Sequence, residues 1–271
     1  MYKLDHIVHF VDSPEVAMTE LRSNGLHVVP GGKHEQWGTY NALCYFNAAY
    51  IELIGIYDQE KFKVAAAIPY TLHETYTRNG CEKGLTRVAI STTTIEEDAE
   101  RFRLAGYDIV GPDRFSRTRP DGSIVSWQLL HIGNKNDQID LPFFIQWDQS
   151  EEERVEDMKD REIINEHAAG PLRIAEISYI VSNFEMARSL LQLCHLESTL
   201  KVNEETKAEI MTIYTPSGNL SFYRPYDEGA VWEILMADGP GLYTVVLSGA
   251  LEEHTLHFEN ANYMFSRTDE L

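Results

Sequence analysis

The sequence predicts an α+β protein built from repeated βαβββ modules. Two observations predict this fold class. The segment LRSNGLHVVPG at 21–31 returns as FRLAGYDIVGP at 102–112, an offset of 81 residues (102 − 21), and LDHIVHF at 4–10 returns as LTRVAIS at 85–91. In both copies a short apolar strand precedes apolar residues at helical spacing, and further strands follow.

Each element of the first copy has its own signal. Ser13 followed by Pro14 is typical of a helix start, because the hydroxyl caps free N–H groups and proline fits the first turn. Gly25 is typical of a helix end. Further strands are predicted around 26–29, 41–46 and 50–57, and a short helix around 61–67.

The second copy has the same order of signals. Its helix opens on the acidic run 96–98, which favours the positive end of the helix dipole, and it ends at Gly106. Strands follow around 107–110, 124–131 and 141–147. A weaker third copy predicts a strand at 174–181, a helix at 184–194 and a hairpin at 208–225, and strands at 241–249 and 255–265 suit a fourth module without its helix.

An acidic segment separates these units. Residues 149–170 are helical in pattern, and Gly170 with Pro171 closes them. We therefore predict a two-module domain at 1–150, an acidic helical linker at 151–171, and a degenerate third module with a partial fourth at 172–271.

The composition excludes several classes of protein. Of the 271 residues, 43 are acidic and 23 basic, and nucleic acids and anionic membranes carry the same sign as the net charge of −20. Three scattered cysteines are atypical of a disulfide framework or a cysteine zinc site. The start lacks the apolar stretch of a signal peptide, and no run reaches the ~18 apolar residues of a membrane span. We therefore expect a cytoplasmic protein with no nucleic-acid or membrane partner.

The repeated unit carries His6 in its first strand and Glu52 in its last, and it resembles the vicinal oxygen chelate superfamily (the glyoxalase / dihydroxybiphenyl dioxygenase-like fold). The segments LDHIVHFV, GGKHEQWGTYNAL at 31–43, YIELIGIYD at 50–58 and LPFFIQW at 141–147 are similar to its glyoxalase-like branch of mostly uncharacterised bacterial proteins. The resemblance implies curved mixed sheets that form a cleft between two modules, and this cleft holds a metal or a ligand. It also implies a range of activities, from isomerisation and C–C cleavage to drug sequestration.

Four strand residues are the first candidates for a site. His6 and Glu52 together make half of a divalent metal site, and the resemblance implies that the second module supplies the other half. That module carries Arg87 at the position of His6 (6 + 81) and Gln146 in its last strand. Arginine does not ligate a cation, so an ion pair between Arg87 and Glu52, or a grip of Arg87 on a substrate anion, is an alternative to the metal. A buried histidine bonded to a neighbour is the alternative for His6.

A second group of candidates lies in the segment GGKHEQWGTYNAL. We interpret it as a loop whose glycines let the backbone approach a ligand, with substrate contacts from His34, Trp37, Thr39 and Asn41. An ordinary hairpin connection is the alternative. Arginines at 114, 117 and 119 form an anion-attracting patch or a solvated loop, and of these Arg119 is taken as substrate-binding together with Trp127, for which a core position is the alternative.

The leading hypothesis is an enzyme of lyase or isomerase type that acts on an oxygen-rich, anionic metabolite. Glu52 and His6 would be the catalytic groups, or the ligands of a divalent metal ion, and Arg87 and Gln146 would orient the substrate. A non-catalytic protein that sequesters a small molecule is the first alternative, and a scaffold or assembly protein is the second. The partners considered are a small-molecule ligand and a second copy of the chain, with the third module serving packing or dimerisation.

Overall fold

The computed structural model describes residues 1–119, 122–134 and 139–268, and its strands form two mixed sheets. The first sheet has the order β2-β3-β4-β1-β5-β8-β7-β6. Its strands are β1 (Lys3–Phe10), β2 (Val29–His34), β3 (Thr39–Phe46), β4 (Ala49–Ile56), β5 (Gly84–Ser91), β6 (Asp108–Thr118), β7 (Ile124–Gly133) and β8 (Phe143–Trp147).

The second sheet has the order β10-β11-β12-β9-β13-β15-β14. Its strands are β9 (Arg173–Ile180), β10 (Ser198–Asn203), β11 (Ala208–Ile213), β12 (Asn219–Pro225), β13 (Gly241–Ser248), β14 (His254–Phe258) and β15 (Ala261–Ser266). The helices in the described parts of the chain are α1 (Pro14–Ser23), α2 (Gln59–Ala66), α3 (Leu72–Arg78), α4 (Ile95–Leu104), α5 (Glu151–Asp160), α6 (Glu185–Cys194) and α7 (Ala230–Asp238). None of them is long and apolar enough to cross a membrane.

The strand pairing confirms the predicted repeat. In each module the last strand returns parallel to the first, as β4 does beside β1 and β8 beside β5. The two modules meet where β1 and β5 run antiparallel. The second sheet has the same plan, with β12 parallel to β9 and β9 antiparallel to β13, but no helix separates β13 from β14.

One hydrophobic core joins the two sheets. It contains residues of the first sheet such as Ile7 and residues of the second such as Ile177, together with the inward faces of α1, α4 and α6. Phe102 of α4 and Leu190 of α6 are fully buried in it. Burial of each side chain of this size contributes roughly 1.5–3 kcal/mol to the free energy of folding. The side of the first sheet that faces this core is therefore closed to ligands.

The other side of the first sheet is concave and carries a smaller apolar cluster. Val8 and Phe10 of β1 belong to it, and Phe62 of α2 and Tyr76 of α3 pack against them. The ring of Phe10 stacks on that of Tyr76 with centroids 3.9 Å apart. The two short helices thus cover one end of the concave face and leave the remainder open.

Three local features differ from the sequence prediction. The segment taken as a glycine loop forms β2, a turn and β3, so it is the hairpin that was the alternative. Helix α3 and strand β10 were not predicted, because both are short and lack a clear apolar period. A bulge in β1 between Leu4 and His6 also breaks the predicted alternation, so that Leu4 packs in the core while His6 faces the cavity.

Candidate functional site

The concave face of the first sheet encloses a cavity of about 1380 Å³, a volume that includes its open mouth. Most of its wall is apolar or aromatic, and a small number of polar side chains converge on it, which is the usual composition of a ligand pocket. The polar and aromatic side chains that line it include His6, His34, Trp37, Asn41, Tyr45, Tyr50, Glu52, His73, Arg117, Arg119, Trp127, His131, Phe143, Trp147 and Arg154.

His6 is buried in the wall and held by a carboxylate. Its Nδ1 lies 2.7 Å from Oδ1 of Asp5, and its ring stacks on Tyr50 at a centroid distance of 4.5 Å. Burial alone would raise the pKa of Asp5, but the Arg154 guanidinium and the hydrogen bond from His6 outweigh it and lower that pKa. An ionised carboxylate only accepts, so Nδ1 carries a hydrogen and Nε2 is the ring atom left for chemistry.

Glu52 lies beside that free nitrogen. Its Oε2 is 3.7 Å from Nε2 of His6, and its Oε1 accepts a hydrogen bond of 2.6 Å from Nδ2 of Asn41. Asn41 is itself fixed, because its Oδ1 accepts from the backbone N–H of Gly32 at 2.8 Å. A carboxylate and an imidazole therefore stand side by side on one wall, each held by a second side chain.

The glycines of the hairpin make room for protein side chains rather than for a ligand. A Cβ on Gly31 would lie 1.9 Å from Oδ1 of Asn41, and one on Gly32 would lie 2.5 Å from the guanidinium of Arg117. Gly38 has φ +70 and turns the chain between β2 and β3. The backbone at these glycines thus lies close to other groups, as predicted, but these groups are the side chains of Asn41 and Arg117 and not a ligand.

Of the remaining predicted residues of the hairpin, two line the cavity and one supports a lining side chain from behind. His34 and Trp37 line the cavity, with ring centroids 5.5 Å apart. Thr39 is fully buried and does not line it, and its Oγ1 lies 3.0 Å from Nδ1 of His34. Burial lowers the pKa of His34, although the nearby charge of Glu52 works in the other direction. Thr39 therefore orients a neutral imidazole.

Two tyrosines line the cavity near His6: Tyr50 stacks on its ring, and Tyr45 lies against Tyr50. Burial raises the pKa of Tyr45 to about 12, and it raises the pKa of Tyr50 still further with help from the charges of Asp5 and Glu52. Both hydroxyls therefore stay protonated at neutral pH and are available as hydrogen-bond donors.

Three arginines reach the cavity, and they differ in whether a nearby carboxylate neutralises their charge. Arg154 stacks on Trp147 and lies 3.6 Å from Asp5, and Arg119 forms an ion pair of 2.8 Å with Asp157 of α5. Arg117 is half-buried and lines the cavity, and within the described residues it has no carboxylate at ion-pair distance. The unneutralised positive charge of the cavity therefore belongs to Arg117, whereas the sequence analysis had placed Arg119 in that role.

Arg87 and Gln146 lie outside the cavity, so their predicted convergence with His6 and Glu52 was wrong. Arg87 is buried beneath α3, where it donates to the backbone oxygens of Tyr70 and Leu141 and to Thr75. It makes no ion pair with Glu52. Gln146 points to the opposite side of the sheet, where its Oε1 accepts from the first backbone N–H of α4 at 2.9 Å.

The side chains around His6 and Glu52 do not fit a resident metal ion. Across the sheet from His6 the neighbouring strand presents Ala89, and beyond it Phe143, neither of which ligates a metal. No group of three or more His, Cys, Asp or Glu side chains with the arrangement of a metal site exists within 1–119, 122–134 and 139–268. We therefore derive no chemical step through a metal.

Several lining residues were not predicted from the sequence. Tyr45, Tyr50, His73 and His131 come from four different elements, and only the fold brings them together. Arg117 was placed in the predicted arginine patch but not among the substrate contacts, although Asp113, Phe115 and Arg117 alternate along β6 and all face the cavity. For His73 there was none, because α3 itself was not predicted.

The fold recurs in solved structures. A hypothetical protein from Staphylococcus aureus superposes with a TM-score of 0.79 at 21% sequence identity, covering 98% of each chain. A mutant of 4-hydroxymandelate synthase from Streptomyces coelicolor gives 0.56 at 11% identity, over 91% of this chain and 70% of that one. A methylmalonyl-CoA epimerase variant from the same organism, in complex with 2-nitronate-propionyl-CoA, gives 0.41 at 17% identity over 54% of this chain and 98% of that one.

Sequence comparison identifies the family. A search of curated protein sequences finds no match. A model of the glyoxalase-like domain, however, matches residues 4–194, which is more than half of the chain and includes the first sheet apart from Lys3. The chain therefore belongs to the glyoxalase-like domain family.

Proposed function

We propose that the chain is a small-molecule enzyme of isomerase or lyase type that moves a proton at a carbon next to a carbonyl group of an anionic metabolite. The observation that carries this proposal is the arrangement of three side chains at the cavity wall, in which His6 lies between Asp5 and Glu52. An imidazole and a carboxylate, both able to accept and return a proton, stand 3.7 Å apart there, and each is oriented by a further side chain.

The arrangement supports a division of roles. Glu52 removes the proton from the carbon, and the electron pair left behind moves into the neighbouring carbonyl to give an enolate. Nε2 of His6 takes or returns a proton at the oxygen or at the adjacent carbon, because Asp5 holds its Nδ1–H. The hydroxyls of Tyr45 and Tyr50 are donors for the developing oxyanion.

The geometry also favours one outcome of proton transfer over another. Glu52 and His6 belong to adjacent strands of one sheet, so both reach a bound molecule from the same side. Epimerisation by two bases requires removal and return of the proton on opposite faces of the carbon. A pair on one side suits a proton shift along the substrate or the loss of a neighbouring leaving group.

Arg117 supports the assignment of an anionic substrate. It is the arginine of this cavity whose charge no described carboxylate neutralises, in a chain with a net charge of −20. In a half-buried site the attraction of a guanidinium for a carboxylate or phosphate is stronger than in water. Anchoring one end of the molecule there places its body along the aromatic wall, beside Glu52.

The test is exchange of carbon-bound hydrogen in D₂O, followed by proton NMR over a panel of small carboxylates and phosphates that carry a C–H next to a carbonyl. The proposal predicts protein-dependent exchange for at least one compound, and a loss of at least about 100-fold in Glu52→Gln with folding intact. Binding of panel members without exchange in the wild-type protein would instead favour the sequestering protein, which the largely apolar wall also suits.

A further inference from the structure

The cavity has a second polar region that the proton-transfer chemistry does not use. His73 of α3 and His131 of β7 both line the cavity and are at least nine-tenths buried, with 5% and 9% of their surface exposed. Within the described residues, Nε2 of His73 and Nδ1 of His131 have no hydrogen-bond partner. A buried polar nitrogen without a partner costs about 1–3 kcal/mol, so two in one cavity require an explanation.

Both histidines lie toward the α3 end of the cavity. The ring of Phe143 stands between His6 and His131, with centroids 5.4 Å from each. The ring of Trp37 likewise stands between His34 and His73, at 5.5 Å and 5.2 Å. The aromatic wall therefore leads from the catalytic pair to the two unpartnered imidazoles.

The environment of these imidazoles keeps them uncharged. Burial lowers the pKa of His73 to about 3, and burial together with the nearby Arg87 lowers the pKa of His131 to about 3. A neutral imidazole offers one N–H donor and one acceptor nitrogen. Two such rings match a ligand group that both donates and accepts, and the neighbouring guanidinium disfavours a cation.

We propose that His73 and His131 form a specificity subsite for an uncharged hydroxyl or primary amide at the far end of the substrate. This inference rests on the proposed function for the anchoring of the other, anionic end at Arg117. It narrows the substrate to a molecule with an anionic group at one end, a carbonyl near Glu52 and a neutral hydrogen-bonding group at the other end.

Binding of matched probes tests the subsite without any need for turnover. The probes are ω-hydroxycarboxylates of four to ten carbons and the carboxylates in which a methyl group replaces the hydroxyl, with dissociation constants measured by calorimetry. We expect the hydroxyl member to bind about tenfold more tightly at one or more lengths, because the methyl group leaves both imidazoles unpaired. This preference should disappear in His73→Phe and His131→Phe, and it should survive in Glu52→Gln and in the surface control His254→Phe.

The same variants have a second readout that a purely structural histidine would not give. Replacing a buried unpaired polar ring by an apolar ring is neutral or stabilising, so the variants should melt no lower than the wild-type protein. His73→Leu and His131→Leu repeat the test with side chains that fit a smaller space.

Equal binding of hydroxyl and methyl probes at every length, or a preference that persists in the histidine variants, would overturn the subsite alone. Absence of binding by every carboxylate would contradict the anionic anchor as well. Absence of hydrogen exchange by the wild-type protein, together with an intact hydroxyl preference, would contradict the proposed chemistry and support the subsite.

Discussion

Glu52 depends on Asn41 for its position, and Asn41 depends on Gly31 for its space. The hydrogen bond of 2.6 Å from Asn41 holds one oxygen of the carboxylate while the other faces His6. Because this support comes from a neighbouring strand, the carboxylate of Glu52 is fixed by the sheet itself and not by a loop.

Gly31→Ala should therefore impair catalysis without touching a catalytic residue. The new Cβ would lie 1.9 Å from Oδ1 of Asn41 and force that side chain away from Glu52. We expect a loss of about 10- to 100-fold in the exchange rate, since misplacement of a catalytic group by a fraction of an ångström has this order of effect.

Gly241→Ala is the matched control, because a Cβ there meets nothing within 4 Å. Exchange assays compare the rates of both variants, and melting curves show whether a lower rate is caused by loss of folding. An unchanged rate in Gly31→Ala would contradict the supporting role of Asn41.

Sequence reasoning placed His6 and Glu52 at one site and misplaced their predicted partners. His6 and Glu52 were predicted from alternation and resemblance, and they do face one cavity. Gln146 was correctly grouped on one face of its strand with Phe144, but that face packs on α4. Alternation tells which residues share a face, and it does not tell which face is turned to the ligand.

Helix α5 contributes Arg154 and Met158 to the wall of the cavity, and it has little apolar burial of its own. Met158 and Arg154 are its buried residues, and Arg154 forms the contacts with Asp5 and Trp147. A charged helix with so small an apolar face depends on its capping to stay ordered.

The capping box at the start of α5 gives a test of this dependence. Oγ of Ser150 accepts from the N–H of Glu153 at 3.2 Å, and Glu153 accepts from the N–H of Ser150 at 3.0 Å. Ser150→Ala should cost about 1 kcal/mol and speed amide hydrogen exchange across 151–160, with weaker binding of carboxylate probes.

Ser116→Ala, at an exposed position of β6, serves as the reference. Equal exchange in both variants, measured by mass spectrometry, would show that the cap does not hold the helix.

The repeated elements were predictable because each repeat follows local rules. Caps, apolar stripes and β-branched runs return at one offset, and strand pairing follows from that order. The short helix α3 was not predictable in this way. Its seven residues carry no clear apolar stripe, and its position is set by packing of Leu72 and Tyr76 against the concave face.

The described part of the molecule buries five histidines whose pKa is lowered by burial (His9, His34, His73, His131 and His167), which makes its stability sensitive to acid. Burial lowers the pKa of His9 to about 4 and, as noted for the cavity, lowers those of His73 and His131 to about 3. In the unfolded chain a histidine has a pKa near 6.5. Between these values the unfolded state binds protons that the folded state does not.

The contribution of these histidines to the free energy of unfolding should therefore be complete above pH 6.5. It should decrease as the pH falls toward 4. Each histidine contributes up to about 1.4 kcal/mol per pH unit in this window. Burial raises the pKa of Glu176, which opposes the trend with a single group. Urea denaturation at pH 7 and pH 5 measures the slope, which should become smaller in His131→Phe and stay unchanged in His254→Phe. Equal stability at both pH values would contradict the neutral burial of these rings.

The assembly of two sheets around one core is the property least accessible from sequence. The segment at 151–171 was predicted as a linker and carries α5, which completes the wall of the cavity through Arg154 and Met158. Distant contacts also cross between the sheets, such as His9 with the hydroxyl of Tyr263 at 2.6 Å. Local patterns do not reveal such pairs, because no periodicity connects them.

The central claim is that one cavity, with Glu52 and His6 in its wall, performs the chemistry. Its most direct test compares deuterium exchange by the wild-type protein, Glu52→Gln and Gln146→Ala on the same panel of anionic carbonyl compounds. We predict that Glu52→Gln loses exchange by at least about 100-fold, whereas folded Gln146→Ala keeps it. Exchange at the wild-type rate in Glu52→Gln, or its loss in folded Gln146→Ala alone, would contradict the claim.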